Sequence, residues 1–295
     1  MNAPHACPEV RRIPFDYPSD MSADWNPRDP ELSALLNGLS LTMPYLEPYL
    51  IRTMREAAAR ITDPALRAEA EAFMGQEGQH FRAHRRFNDI IKAKGCPRLA
   101  EVEDEMERSY ARLQQRSLPV RMAYSAGFEA MTIGLSRWLI EDRVRLSAGA
   151  DSRVVSMVLW HMVEETEHKL VAFDVYQALH GRYWRRMIGV FHGSLHVLYY
   201  GMRGCMMQMR ESGRTGWRPR WRLLVRFAWM ARSVLPALLH AALPGHDPRK
   251  TPDPAWVTAW LAAYRAEGGS GVPLVDTADP DMPIPFRSTV QRAAS

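Results

Sequence analysis

Cysteine is scarce in this sequence: its 295 residues include three cysteines, Cys7, Cys96 and Cys205, which are scattered and form no Cys-x-x-Cys pair. An odd number of dispersed cysteines argues against a framework of disulfide bonds, so we expect a protein of a reducing compartment. The N-terminal residues also lack the apolar run that a signal peptide needs. Together these absences predict a cytoplasmic location.

Long uninterrupted apolar runs are missing as well. No stretch reaches the roughly 18 charge-free apolar residues that indicate a transmembrane helix. The nearest candidates, residues 187–209 and 223–243, are interrupted by histidine and arginine in the first and by arginine and proline in the second. We interpret both as buried or membrane-surface helices and expect peripheral membrane contact through residues 183–243. The alternative is plain core packing, in which arginine side chains extend along an apolar surface into solvent.

Strand-like alternation of apolar and polar residues persists nowhere, so the sequence predicts an all-α protein. Its 46% apolar and 24% charged residues are ordinary for a globular protein, which argues against general disorder. The formal net charge of +5 would suit nucleic acid, a membrane surface or an acidic substrate and does not distinguish them. Beyond that charge, only the segment WRPRWR favours nucleic-acid binding, and we expect none.

Composition divides the chain into four segments. Residues 1–30 are rich in proline, aspartate and asparagine and predict an extended N-terminal arm. Helical patterning over residues 31–182 predicts a metal-binding four-helix bundle. Residues 183–269 predict additional helices packed on that bundle, and the Pro- and Asp-rich residues 270–295 predict a loose C-terminal tail.

The motif Glu-x-x-His occurs twice, as Glu77 with His80 and as Glu165 with His168. Residues three apart lie on the same face of a helix, so each pair can direct a carboxylate and an imidazole at the same metal ion. A single match is weak, because surface helices are rich in both residue types. The two copies gain weight from the residues that precede them.

A lone glutamate stands in the helix before each motif. Glu47 lies in an apolar stripe 30 residues before the first motif, and Glu129 lies among apolar or small residues 36 residues before the second. An unpaired buried carboxylate is costly, so each of them needs a partner, and a metal ion is one. The alternatives are a buried arginine or tyrosine partner, or a helix that turns Glu47 outward near Pro44 and Pro48, which should kink or break it.

The order Glu, Glu-x-x-His, Glu, Glu-x-x-His on successive helices resembles the ferritin-like di-iron and di-manganese carboxylate superfamily, over residues 31–180. The resemblance implies a four-helix bundle that binds two iron ions, with manganese or a mixed Mn/Fe pair as alternatives. It also implies that the glutamates of the two motifs bridge the metals. The first lone glutamate and the first motif histidine would bind one metal, and the second of each would bind the other.

Two further histidines lie one turn from the motifs. His161 precedes Glu165 by four residues and resembles the third histidine of p-aminobenzoate N-oxygenase-like di-iron enzymes; the alternative is a core histidine beside the ligands. His84 follows His80 by four residues, at the place of the radical tyrosine in ribonucleotide reductase small subunits, which argues against that function. We expect His84 beside the ligands or exposed near neighbouring arginines. The predicted metal ligands are Glu47, Glu77, His80, Glu129, His161, Glu165 and His168.

The run from RRIPFDYP through both motifs also resembles a bacterial family labelled predicted metal-dependent hydrolase, which implies a metal and leaves the reaction open. From the ligand set we expect an oxidoreductase that activates O2 to oxidise a small or acyl-type organic substrate, with an electron donor as partner. The alternative is a metal-dependent hydrolase that uses a metal-bound hydroxide, for which zinc is the expected metal. We expect a homodimer, and metal storage is disfavoured by the extra helices.

Overall fold

The computed structural model describes residues 7–18, 20–269 and 271–286, and the fold is given for these residues. Their regular secondary structure is helical, with no strand in the described ranges, which confirms the predicted all-α helical bundle. A 3-10 turn at Pro248–Lys250 precedes the last helix. The α-helices are α1 (Pro30–Ala58), α2 (Pro64–Ala93), α3 (Leu99–Gln114), α4 (Leu118–Glu141), α5 (Arg143–Ser147), α6 (Ser152–Leu179), α7 (Tyr183–Glu211), α8 (Trp217–Ala241) and α9 (Ala255–Ala266).

Four helices, α1, α2, α4 and α6, enclose the interior that holds the two motifs. α1 packs along α2 and α4 along α6, and the pairs meet through contacts of α2 with α6 and of α1 with α4. α2 buries one stripe of side chains, whereas α4 is buried nearly all round because α7 and α8 also pack on it. The part of α4 that carries Glu129 therefore has protein on every side.

Aspartate caps set where the two motif helices begin. Asp63 accepts a hydrogen bond from the backbone nitrogen of Ala65 at 2.9 Å, and Pro64 fills the first turn of α2. Asp151 caps α6 in the same way, by accepting from the backbone nitrogen of Arg153 at 2.9 Å. Because both starts are fixed, the side chains two or more turns further along each helix face a defined direction.

The two prolines of α1 do not end the helix, which continues through Pro44 and Pro48. Pro44 has no N–H, so the carbonyl oxygen of Ser40, four residues earlier, loses its helical donor. The side-chain amide of Asn88 on α2 supplies that donor at 3.0 Å. The expected break is therefore replaced by a bond between two helices of the bundle.

Helix α7 lies very close to α1 and α4 because glycines stand at the contacts. A Cβ atom at Gly127 of α4 would lie 2.1 Å from the carbonyl oxygen of Gly189 of α7. One at Gly38 of α1 would lie 2.1 Å from the carbonyl oxygen of Gly201. These distances exclude a side chain, since both obstructing atoms belong to the backbone. The division of the chain into bundle and additional helices stays a prediction, but α7 is in intimate contact with the bundle.

Segments outside the helices also pack on the bundle. The described residues before α1 contain no helix, as expected for an arm, yet Arg11, Phe15 and Trp25 in it are buried. In the described residues 271–286, Val275 is buried and its backbone nitrogen donates to Ser156 of α6 at 2.8 Å, so this stretch is anchored where a loose tail was expected. The remaining parts of those two predicted segments, residues 1–6, 19, 270 and 287–295, lie outside the described residues.

We expect Gly127→Ala to lower the free energy of unfolding by roughly 1–3 kcal/mol, the usual cost of overpacking a close contact. Gly78→Ala in α2 is the matched control, because an added Cβ there meets no heavy atom within 4 Å. Alanine loses less backbone entropy than glycine in a helix, so the control should be neutral or stabilising by about 0.5–1 kcal/mol. Urea denaturation measures both, and equal effects would contradict the close contact between α4 and α7.

Candidate metal centre

The four bundle helices bring all seven predicted ligands into one buried interior. Each of these side chains belongs to a residue that is 5% exposed or less. The charges of Glu77 and Glu165 act on both lone glutamates, so the lone glutamates belong to the same cluster as the motifs. By helix, the residues are Glu47 on α1, Glu77 and His80 on α2, Glu129 on α4, and His161, Glu165 and His168 on α6.

The two Glu-x-x-His motifs face each other between α2 and α6. One donor atom from each of Glu77, His80, Glu165 and His168 lies within 4.8 Å of the others. Nδ1 of His168 is 3.1 Å from Oε1 of Glu77. That contact lacks the angles of a hydrogen bond, and both atoms are without a hydrogen-bond partner. The spacing of three residues on each helix thus converges on one point, as the sequence predicts.

A second group of donor atoms adjoins the first. Glu47, His84 and His161 each place one donor atom within 4.8 Å of the other two. His84 was not among the predicted ligands. Of the two expectations for it, a place beside the ligands or an exposed place near arginines, the structure supports the first. His84 is 4% exposed, and the centre of its ring lies 4.8 Å from that of His161. Glu129 belongs to neither group by this distance, although the charge of Glu165 acts on it.

Nine buried side-chain atoms of this cluster have no hydrogen-bond partner. Buried polar atoms in native proteins nearly always have one, so this concentration of free oxygen and imidazole atoms calls for a cation. Carboxylate oxygen with imidazole nitrogen is a donor set that suits iron, manganese or zinc, so the residues present fit a metal centre. The atoms are both carboxylate oxygens of Glu47, Glu77 and Glu129, one oxygen of Glu165, and Nδ1 of His80 and His168.

Gln76 fixes the protonation of His168. Its amide nitrogen donates to Glu167 and to the backbone oxygen of Glu9, at 2.9 and 3.0 Å, so its side-chain oxygen must accept. That oxygen lies 2.9 Å from Nε2 of His168, which therefore carries a proton and leaves Nδ1 facing the cluster. Burial lowers the pKa of His168, but Glu165 and Glu77 together hold it well above its usual value, so a metal ion would displace a proton from Nδ1. A metal-binding histidine is commonly held by such a bond to its far nitrogen.

Arg11 of the N-terminal arm supports His80 through Glu164. Arg11 donates to Glu164 at 3.1 Å and to Glu167 at 2.7 Å, and it stacks 5.5 Å from the ring of Tyr264 on α9. The other oxygen of Glu164, when ionised, accepts from Nε2 of His80 at 2.8 Å. Nδ1 of His80 then faces the cluster with its lone pair.

A chain of hydrogen bonds beginning at α1 fixes the orientation of the His161 ring. Because the amide nitrogen of Asn88 donates to the Ser40 carbonyl, Oδ1 of Asn88 accepts from the Ser40 hydroxyl at 2.7 Å. The Ser40 oxygen accepts from Nδ1 of His84 at 2.8 Å. Because burial holds the pKa of His84 well below its usual value, the ring is neutral and Nε2 of His84 has a lone pair. That lone pair accepts from Nδ1 of His161 at 2.7 Å. The chain of hydrogen bonds thus directs Nε2 of His161 at Glu165, 2.9 Å from its Oε1, where a metal ion could lie between the two side chains.

Sequence reasoning missed Gln76, Asn88, Ser40 and Arg11. Gln76 and Asn88 lie on the same buried stripe of α2 as the predicted ligands, so helical spacing contained a signal for both. Arg11 lies in an aperiodic arm, where no local pattern shows which helix it will contact.

Burial gives the carboxyl groups of the cluster unequal acidities. It raises the pKa of Glu47 and of Glu129 well above the usual value, and neighbouring glutamates add to the effect. Burial acts on Glu165 in the same direction, but His168 and His161 together hold its pKa well below the usual value. Part of the cluster therefore holds protons that a metal ion must displace.

A small cavity of about 50 Å³ adjoins the cluster beside His84 and His161. Its other walls are mostly apolar, and they include Met43 of α1, Leu135 of α4 and Met162 of α6. This volume is enough for roughly one or two water-sized groups. The donor atoms thus have an apolar chamber as their neighbour.

A family model described as "Predicted metal-dependent hydrolase" matches residues 9–251. The match includes the arm with Arg11, the four helices of the cluster, and both α7 and α8. No curated protein and no solved structure matches the chain.

We expect metal binding to release protons and to tighten as the pH rises. Glu47 and Glu129 have raised pKa values, so below those values the protonated carboxyl groups compete with the metal, and the competition fades as the pH increases. Titration of metal-stripped protein with Zn²⁺ at about pH 6 and about pH 8, with a pH indicator in weak buffer, measures affinity and protons together. Equal affinity at both pH values without proton release would contradict the assignment of these carboxyl groups to the metal.

The hydrogen-bond chain predicts that Ser40→Ala weakens metal binding about 10- to 100-fold, because His84 loses the acceptor that sets its orientation and that of His161. Ser136→Ala is the matched control, since Ser136 is a buried serine on α4 that takes no part in these hydrogen bonds. Its hydroxyl contacts the sulfur of Met162 at 3.5 Å. Competition against a chelator of known affinity gives both values. Similar affinities for the two variants would rule out the orienting role.

Proposed function

The chain belongs to the predicted metal-dependent hydrolase family, and we propose that its buried glutamate–histidine cluster is the two-metal centre of a hydrolase. The observation that carries this proposal is the set of nine buried oxygen and nitrogen atoms without hydrogen-bond partners, all directed into one interior. Family membership supports dependence on a metal, and these atoms are where a metal would be held.

Two metal ions bridged by carboxylates account for the donor atoms best. Glu77 and Glu165 are the proposed bridges, because their donor atoms share one group with both motif histidines. His161 is a proposed ligand through Nε2, which lies 2.9 Å from Oε1 of Glu165. The supply of ligands by four helices in the order Glu, Glu-x-x-His, Glu, Glu-x-x-His supports a ferritin-like arrangement of the bundle. The proposed ligands are Glu47, Glu77, His80, Glu129, His161, Glu165 and His168.

Bound metal ions would polarise a substrate carbonyl group and lower the pKa of water, as hydrolysis of an ester or amide requires. The protein's own side chains would orient the metal ligands and exclude bulk water. Asn88, Ser40 and His84 hold the ring of His161, while Gln76 and Glu164 hold the other two histidines. The apolar walls of the cavity would bind the acyl part of a substrate and keep bulk water out. A small ester or amide with a short apolar acyl group is therefore the proposed substrate class.

An oxidoreductase that activates O2 is the second candidate, and the ligand chemistry favours it. Four carboxylates and three imidazoles suit a pair of iron or manganese ions more than a pair of zinc ions. The apolar cavity beside His84 and His161 is also of a size for O2. This candidate needs an electron donor from outside the chain, and its substrate would be a small or acyl-type molecule.

Metal analysis combined with two assays distinguishes the candidates. A hydrolase should retain zinc or another divalent ion, turn over a short-chain p-nitrophenyl ester, and consume no O2. An O2-activating enzyme, loaded with ferrous iron without air, should consume O2 on mixing and show a transient absorption band, with no ester turnover beyond that of the free metal.

We expect Glu77→Ala and Glu165→Ala to lower metal content and turnover by a factor on the order of 100, because each removes a proposed bridging ligand. Glu71→Gln is the matched control: Glu71 is an exposed glutamate on α2, less than two turns before Glu77, and should leave both quantities unchanged. Circular dichroism checks that each variant is folded. If both alanine variants keep the metal content of the control, the assignment of the centre is wrong.

A further inference from the structure

Helix α7 presents an apolar stripe to solvent on the side opposite its glycine contacts. The stripe consists of Trp184, Ile188, Leu195 and Tyr199, which are 55–68% exposed. Their spacing of four, seven and four residues places them on one face of the helix. Because the other face is closely packed on α1 and α4, this stripe is left open to solvent among the described residues, apart from the contact of Tyr199 with Arg203 of the same helix.

Helix α8 continues the same kind of surface beside α7. The two helices run in opposite directions, since Tyr183 at the start of α7 donates to the backbone oxygen of Ala242 at the end of α8, at 2.9 Å. Trp217, Trp221 and Leu224 of α8 are 53–73% exposed. The exposed apolar residues of both helices are hereafter called the α7–α8 face.

The segment that forms α7 and α8 carries almost only positive charge, although Arg203, Arg214 and Arg226 form ion pairs with acidic residues of other segments. Residues 182–243 contain eleven arginines, no lysine or aspartate, and one glutamate, Glu211. Arg218, Arg220 and Arg222 are exposed at the start of α8, interleaved with the two exposed tryptophans of that turn. Exposed tryptophan and leucine bordered by arginine is the composition of a helix that lies in the boundary region of an anionic membrane.

Insertion of α8 across a membrane is disfavoured by its contacts with the bundle. Among the described residues, α8 is the one helix that is long and apolar enough to span a membrane by length and composition, whereas the sequence alone predicted none. Its opposite side is docked: Met230, Val234 and Leu238 are buried, and a Cβ at Gly134 of α4 would lie 2.6 Å from the Cα of Val234. Arg226 also forms an ion pair with Asp29 at the start of α1. Spanning would break all of these contacts.

We propose that the α7–α8 face docks the protein on the surface of an anionic lipid bilayer, with its tryptophans and leucines in the headgroup boundary and its arginines on the lipid phosphates. The charge also decides against a second copy of this chain as the occupant. A symmetric dimer would place the same arginine-rich surface on both sides of the interface, where the like charges repel. A bilayer containing phosphatidylserine supplies the opposite charge.

Flotation with vesicles of phosphatidylcholine, with and without about 30% phosphatidylserine, tests the proposal on the full chain. Wild-type protein should float with the anionic vesicles, remain behind with the neutral ones, and be released by sodium carbonate and by about 0.5 M salt. The proposal would be overturned by equal binding to both kinds of vesicle, by protein that stays on the vesicles in sodium carbonate, or by a monomer that binds neither kind of vesicle. It would also be overturned by a dimer that dissociates when the face is altered and does not bind vesicles.

Two pairs of variants separate the apolar and the charged parts of the α7–α8 face. Trp217→Ser with Leu224→Ser should abolish flotation, whereas Leu274→Ser, at a residue 50% exposed elsewhere, should not. Arg218→Gln with Arg220→Gln should reduce binding to anionic vesicles about 30-fold, at roughly fivefold for each arginine. The matched control is Arg82→Gln with Arg108→Gln, two exposed arginines on α2 and α3. All substituted side chains are exposed, so metal content should stay at the wild-type value, and equal losses in control and test pairs would overturn the proposal.

Discussion

Several glutamates in one buried interior cannot all be ionised without a cation, and the bundle is organised around that constraint. The protein has 38 lysines and arginines, and it places one of them, Arg11, against Glu164 and Glu167 at the edge of the cluster. The inner carboxylates of Glu47 and Glu129 have no hydrogen-bond partner. The outer acids are thus neutralised by the chain itself, while the inner ones are left for an ion that also binds imidazole nitrogen.

The orientation of the histidines depends on groups that bind no metal. Pro44 removes one donor from α1, and the carbonyl oxygen that it leaves free fixes the amide of Asn88. From that amide the hydrogen bonds pass through Ser40 and His84 to the ring of His161. A residue that weakens a helix in isolation therefore serves to orient a histidine ring two helices away. Gln76 has the same effect on His168 by a shorter route.

Helix α7 connects this interior to the outer surface. Its glycines bring its backbone against α1 and α4, two of the helices that carry the cluster, and its exposed stripe of apolar residues faces away from them. A membrane-bound α7–α8 face would hold the metal centre close to a lipid surface, where hydrophobic acyl substrates are concentrated.

The sequence by itself determined the helical class and the two glutamate–histidine pairs, because these follow from spacing along one helix. Glu77 with His80 and Glu165 with His168 could be paired from their positions alone. Contacts between distant segments were decided only by the tertiary structure. Arg11 reaches Glu164 across 153 residues, and Asn88 reaches Ser40 across 48. No periodicity records such contacts, since they depend on how helices and the arm pack. For the same reason the place of His84 beside His161, and the exposure of one side of α7 and α8, appeared only once the bundle had been assembled.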